Sequence, residues 1–491
     1  MNQVLPPKTS FKAYIDGRHE HAADGATFET VDPSTGKVLG EVVACGVADV
    51  DRAVEAARRS FESGVWSRVA PSERKRILLR FANLLEEDLE TIAQLDSIEA
   101  GKPITDCRDL DTPDAINTIR WYAESIDKVF GKVSPTASDS LAYVVREPIG
   151  VVGVVVPWNF PSATLAWKIG PALAAGNSIV VKPAELSSLG AIRFAELATE
   201  AGVPDGVFNV VPGLGHIAGK AIGLHGDVDA VTFTGSTEVG RHFLRYSADS
   251  NLKEVSLECG GKSPQIVFAD AKEDLQTIAE DLASAAFWNA GQNCTAGSRI
   301  LVENSIRSEF IDLLAEQANK LRLGLPSDIG TEMGPLIEAS AVDRTIRYIE
   351  EAVGAGATVA AGGKRALPET GGYYVQPTVL QGVTPDMPVA REEIFGPVVA
   401  VLGFDDADEA IRLANESDYG LAATIWSRDI NTALKLAGAI RAGTVAVNGY
   451  SEGDITTPFG GYHTSGFGGR EKGIEAFDQY TELKTVWITL R

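Results

Sequence analysis

The chain has 491 residues, 44% hydrophobic and 23% charged, with a formal net charge of −23 from 67 acidic and 44 basic side chains. That length predicts two or three domains, and that charge repels nucleic-acid phosphates and anionic lipid, which excludes nucleic-acid and membrane-surface partners from the expectation. No apolar run nears the ~20 residues of a membrane-spanning helix, the opening MNQVLPPKTSFKAYIDG lacks the regions of a secretory leader, and four scattered cysteines make no disulfide framework, so a cytoplasmic home is expected.

A short hairpin is expected around YIDGRHE, followed by helices. VADVDRAVEAARRSFES and PSERKRILLRFANLLEEDLETIAQLDSIEAG carry apolar residues at helical spacing. Pro71 and Ser72 open the second, which is expected to run to Gly101. Asp111 and Asp114 stand three apart and share a face if their segment is helical. From about residue 140 β-branched runs take over, LAYVVREP and then VVGVVVPWNF, broken at Pro148-Ile149-Gly150. Strand-sized and helical runs then alternate through NSIVVKP, LGAIRFAELATEAG, GVFNVVPG, HIAGKAIGLH and VDAVTFTGS, the pattern of a parallel sheet with helices on its faces. Near 260 the alternation restarts with SPQIVFAD, a long helix to about 290 and RILVENSI, which predicts a second α/β unit. The final TELKTVWITLR reads as a strand that needs a sheet to join, one expected in a neighbouring subunit.

Four segments offer chemistry. PWNFP, residues 157–161, follows a strand where open α/β sheets bind ligands, and Asn159 brings an amide that can hold an oxyanion; alone it also fits a proline-framed turn. VVKPAE places Lys182 and Glu185 at a strand end, where a carboxylate accepts ribose hydroxyls or is simply solvated. In FTGSTEVG, Gly235 and Ser236 join a strand to a helix, a phosphate-binding turn without the standard dinucleotide fingerprint. SLECGGKSP sets Glu258 before paired glycines as a candidate general base or a strand-end charge. WNAGQNCTAGS, residues 288–298, surrounds Cys294 with glycine, where a thiol is either a nucleophile or a small buried hydrophobe. Six histidines show no ligand spacing, and no metal site is expected.

Taken together, PWNFP, VVKPAE, FTGSTEVG, LECGGKSP, GQNCTAGSR, REEIFGPV and PFGGYHTSGFGGRE resemble the aldehyde dehydrogenase superfamily, in its order and at its spacing over nearly the whole chain. The resemblance implies an α/β fold: a Rossmann-like NAD-binding domain (1–129 and 149–259), a second α/β catalytic domain (260–462) and a small bridging β-sheet (130–148 and 463–491) for homo-oligomerisation as a dimer of dimers. It implies NAD(P)-dependent oxidation of an aldehyde to the acid. Cys294 would be the nucleophile, Asn159 and the Cys294 backbone N–H the oxyanion donors, and Glu258 the base that hydrolyses the thioester. Lys182 and Glu185 would hold the adenosine ribose, Gly235 and Ser236 the pyrophosphate, and Trp158, Glu393 and Phe395 the nicotinamide end. Glu185 favours NAD over NADP.

Positions matching the family's substrate tunnel are Phe160, Thr164, Trp167, Asn293, Thr295 and Phe459. Asp111, Asp114, Glu452 and Asp454 map near its mouth, where carboxylates attract an ammonium. With IRWYAESIDKVFG, SEGDITTPFGGY and TELKTVWITL, the chain looks most like bacterial dehydrogenases for polyamine-derived ω-amino or γ-glutamylamino aldehydes. The alternative is a broad-range aliphatic or aromatic aldehyde dehydrogenase; a CoA-acylating enzyme, which typically lacks the glutamate, and a thiol esterase rank below. One departure is Cys259, where the family commonly has leucine. It reads as a tolerated substitution or, more sharply, as a thiol that oxidises reversibly against Cys294.

Overall fold

The computed structural model describes residues 9–491; the leaderless reading of the N-terminus falls partly on residues 1–8, outside them. Asp16 and Gly17, both at positive φ (53° and 74°), turn the hairpin between strands Ala13–Ile15 and Arg18–Glu20, as a two-residue Asp-Gly loop does. This hairpin edges an eight-stranded sheet.

The sheet's centre explains where a ligand can enter. Strand Val151–Val155 is followed by Ser178–Lys182 and Phe208–Val210, laid down parallel on one side of it. The chain then returns, and Ala230–Thr234 and Glu254–Glu258 add parallel on the other side. Order therefore reverses between Val151–Val155 and Ala230–Thr234. The loops leaving their C-terminal ends are PWNFP and Gly235-Ser236, the crevice such sheets use.

A second, seven-stranded sheet is parallel except for its edge pair Thr358–Ala361 and Thr378–Gln381, with Pro264–Val267 near the middle between Arg299–Glu303 and Ala422–Trp426. The central strands of both sheets are buried apolar runs rich in Val and Ile, because helices cover both faces. The stretch Cys259–Ser263 is all that separates the last parallel strand of one sheet from the first strand of the other.

Three expectations change. The segment from Pro71 forms two helices, Pro71–Glu87 and Leu89–Ala100, because Asp88 leaves helical geometry (φ −102°, ψ 12°) and its carboxylate accepts from Arg193 Nε at 2.6 Å. The left-handed Gly101 ends the second as expected. The C-terminal strand Thr481–Thr489 finds its sheet within its own chain, pairing antiparallel with Ser140–Pro148 over nine positions, with Lys132–Ser134 as third strand. Residues 463–480 do not belong to that small sheet: Gly466–Phe467 extends the first sheet beside Glu254–Glu258, and Ile474–Tyr480 packs Phe477 and Tyr480 into the core over the first sheet. Among the described residues, no helix is long and apolar enough to cross a membrane.

Candidate active site

The two sheet edges face each other across a cavity of about 510 Å³. Cys294, Glu258 and Asn159 all line it, as do Trp158, Gly235, Ser236, Glu393 and Phe395. Of the four cysteines, Cys45, Cys107 and Cys259 are buried and Cys294 is partly accessible.

The loop that presents Cys294 is fixed by unusual backbone. Asn289, Ala290 and Gly291 run in succession at φ 50°, 55° and 69°. A left-handed alanine is strained, and such strain persists only where its surroundings enforce it. Here Asn289 Nδ2 donates to the Asn159 carbonyl at 2.9 Å, and Gln292 Oε1 accepts from Ile337 N at 2.9 Å. Asn159 is tied to the same loop, donating from Nδ2 to the Gln292 carbonyl at 2.9 Å. An amide nitrogen carries two N–H groups, so one remains for the cavity. The paired glycines have a matching purpose. A side chain on Gly261 would collide with the Cys294 carbonyl, and one on Gly260 with the Glu393 carboxylate.

Glu258 is buried, and its Oε2 has no hydrogen-bond partner. Burial, then the nearby Glu471 carboxylate, push its pKa well above the usual range, against the opposing pull of Lys168 and Arg470. Glu471 itself is paired with Lys168, which also donates to Thr232 Oγ1 at 3.0 Å. The Cys294 thiol is likewise held up, by its depth and then by Glu452, Glu393 and Glu258. It rests protonated and needs a base. Glu393 accepts from Gly261 N at 3.1 Å, and burial raises its pKa to about 7.

The remaining expected residues divide. Phe160, Thr164, Trp167, Asn293, Phe459, Asp114 and Glu452 line the cavity. Thr295 does not; it is fully buried and turns its hydroxyl to Tyr450, Glu452 and Asn293. Glu452 Oε1 also collects bonds from Asn293 Nδ2 (3.0 Å) and the Tyr450 hydroxyl (2.8 Å), so this carboxylate braces the loop around Cys294. Asp111 lines the cavity but is buried against Lys102. Asp454 is exposed and caps Thr456, away from the cavity. Lys182 and Glu185 also lie outside its lining, paired at 2.7 Å at the end of Ser178–Lys182. That end is level with Val155, hence on the same sheet edge as PWNFP. Burial disfavours the Glu185 carboxylate, but Lys182 more than offsets this and holds its pKa below the usual value.

Cys259 lines the cavity with its sulfur turned to the first turn of helix Thr237–Ala248, close enough to Gly240 that a side chain there would crowd it. Burial raises its pKa to about 12. This orientation favours the packing reading over the redox one. Sequence reasoning missed Trp288, Arg344, Glu471 and Lys472, all of which line the cavity. Glu471 and Lys472 stand at and just past the end of PFGGYHTSGFGGRE, so only that motif pointed toward them.

Comparison with known proteins identifies the family and the fold. A sequence model of the aldehyde dehydrogenase family matches residues 20–486. An aminoacetaldehyde dehydrogenase of Pseudomonas aeruginosa is 51% identical over 477 residues, covering 97% of this chain and 95% of that protein. The crystal structure of a γ-glutamyl-γ-aminobutyraldehyde dehydrogenase from Burkholderia cenocepacia superposes with a TM-score of 0.96 at 50% identity, covering 98% and 97% of the two chains. The AldA indole-3-acetaldehyde dehydrogenase of P. syringae, solved with NAD+, does so with the same TM-score and 50% identity, covering 98% and 96%.

Proposed function

The chain belongs to the aldehyde dehydrogenase family, and from that premise we propose how its residues divide the chemistry and which aldehyde it takes. Its activity is NAD-dependent oxidation of an aldehyde. The observation that carries the division of roles is the convergence of Cys294, Asn159 and Glu258 on one cavity.

The residues fit the cofactor. Thr234 Oγ1 is buried without a partner beside Gly235-Ser236, at the N-terminus of helix Thr237–Ala248. There the Ser236 hydroxyl caps Val239 N, and the Thr237 and Glu238 N–H groups are left for a pyrophosphate. The Lys182–Glu185 pair faces the ribose and opposes a 2′-phosphate. Glu393 and the edge-to-face pair Trp158 and Phe395 (5.3 Å) hold the nicotinamide end. When bound, NAD supplies the hydride acceptor.

Cys294 sulfur attacks the carbonyl carbon, its proton passing to Glu258. The C–S bond forms as the carbonyl pair moves onto oxygen, where the free Asn159 N–H and the Cys294 N–H hold it. Loss of hydride from that carbon restores the C=O and leaves a thioester. Glu258 first releases the thiol's proton to solvent, then takes one from water as hydroxide adds to the acyl carbon. The C–S bond breaks, the sulfur regains its proton from Glu258, and the acid leaves. The sum is aldehyde, NAD+ and water to acid, NADH and a proton.

The preferred substrate is a polyamine-derived ω-amino or γ-glutamylamino aldehyde. Its chain lies along Phe160, Trp167 and Phe459, and its polar end reaches Asp114, Glu452 being taken up in bracing the Cys294 loop. The names of the Pseudomonas aeruginosa and Burkholderia relatives support this. Initial rates with NAD on 3-aminopropanal, 4-aminobutanal, γ-glutamylaminobutanal, propanal and benzaldehyde test it. The charged aldehydes are expected to lead in kcat/KM by at least tenfold; parity with the neutral ones means a broad-range enzyme.

We also infer assembly through the small sheet. It leaves Val133, Leu483 and Trp487 exposed by 74%, 65% and 62% in the single chain, an apolar patch of the kind partners cover. Deleting residues 482–491 strips the pairing from Ser140–Pro148 and is expected to lower the mass measured by light scattering. An unchanged oligomer rejects this interface.

A further inference from the structure

We propose that Lys472 binds a carboxylate at the remote end of the aldehyde, so that the site selects a zwitterionic γ-glutamylamino aldehyde over a bare ω-amino one. This rests on the polyamine-aldehyde reading and narrows it.

Lys472 is only 4% exposed, yet it lines the cavity. Three other buried lysines pair with carboxylates, Lys102 with Asp111, Lys168 with Glu471 and Lys182 with Glu185. Lys253 is held by the Gly223 carbonyl and the Ser250 hydroxyl, and Lys262, also without an ion pair, lies outside the cavity lining. Among the described residues, no carboxylate stands at ion-pair distance from Lys472. Its Nζ lies 3.9 Å from the centre of the Trp167 ring and 5.4 Å from that of Phe459. Aromatic faces attract a cation, but they satisfy none of its three N–H donors. A buried ammonium left so has room for one more partner, and the open direction is the cavity.

The neighbouring groups define what that partner carries. Trp167 has Lys472 on its face and Asp114 at its edge, the indole N–H donating to Asp114 Oδ2 at 2.7 Å. A cation and an anion therefore flank one aromatic ring without bonding each other. The α-carboxylate and α-ammonium of a glutamyl head are separated by a single carbon, and they match that arrangement in sign. A bare ω-ammonium entering the same corridor meets Asp114 but also the like charge of Lys472. The lysine's place is enforced as well: it sits at φ 57°, a left-handed conformation costly for a side chain, pinned by the paired backbone of Phe459 and Glu471 just before it.

The test uses the full-length enzyme with saturating NAD. In the wild type, γ-glutamylaminobutanal is compared with its α-carboxamide analogue, which lacks only the carboxylate charge. At least a tenfold advantage in kcat/KM for the acid is expected, carried by KM. Lys472→Met keeps the apolar stem and is expected to erase that ratio, while Lys472→Arg keeps most of it. The same Met substitution is expected to lower KM for 4-aminobutanal. Equal rates for acid and carboxamide in the wild type overturn the proposal, as does a Met variant that slows every aldehyde by one factor. If butanal outperforms 4-aminobutanal and γ-glutamylaminobutanal in the wild type, the polyamine reading fails. The acid-to-carboxamide ratio still decides Lys472 by itself.

Discussion

Replacing Cys294 by alanine leaves a folded protein whose kcat for aldehyde oxidation has fallen by about 10⁴-fold or more, the scale seen when a covalent nucleophile is removed. No other thiol can substitute. Cys45 and Cys107 are sealed in the interior, Cys107 against Ala93 and Ile104, with thiol pKa values pushed far up by burial. Cys259 reaches the cavity wall but turns its sulfur toward Gly240. The matched control is Cys107→Ala, which removes one buried sulfur and costs about 1 kcal/mol of stability with kcat within twofold. NADH formation and the thermal midpoint, read on both variants, decide the assignment. A Cys294 variant above 1% of wild-type rate, or equal losses in the two, refutes it.

Why the nucleophile was legible in the sequence is physical. Glycine and amide side chains around a cysteine signal backbone that must bend and be approached, and the left-handed run Asn289-Ala290-Gly291 is what that composition builds. The two α/β units were legible for the same kind of reason, since strands covered on both faces must be apolar throughout. What stayed hidden depended on contacts between distant segments. Nothing local to PSERKRILLRFANLLEEDLETIAQLDSIEAG marks a break at Asp88, whose partner Arg193 is 105 residues away. TELKTVWITLR could not name its partner strand, because Ser140–Pro148 lies more than 330 residues earlier. Likewise the acidic residues read as one mouth divide by their partners: Asp111 to Lys102, Glu452 to the Cys294 loop, Asp454 to its own turn, and only Asp114 to the corridor beside Lys472. Charge at a position is visible in a sequence; whether a distant lysine has already neutralised it is not.

Glu258→Gln is expected to lower steady-state kcat by about 10²–10⁴-fold, the range for loss of a positioned general base, and to change the shape of the pH profile. Burial and Glu471 raise the pKa of Glu258, so the wild type gains its base only as pH climbs through that raised value. Its kcat therefore rises toward alkaline pH, and the glutamine variant loses that rise. The two jobs of Glu258 separate in rapid mixing. With no base to activate water, the variant forms NADH slowly and to no more than one per site, then stalls with an acyl mass on Cys294. A variant within twofold of wild type, or one that keeps the wild-type pH profile, excludes the role. Stability should move the other way. A carboxyl whose pKa is raised on folding binds its proton more tightly in the folded state, so that stabilisation is full below about 4.3, the unfolded value, and is lost as pH rises through the folded one. Wild type is thus progressively destabilised where it is most active. Glu258→Gln, with no charge to bury there, loses less of its thermal midpoint over the same window, the remaining fall coming from other raised carboxyls such as Glu393. That opposition is what a base buried beside a second carboxylate entails: the raised pKa that strengthens Glu258 as a proton acceptor also makes its charged form costly to hold.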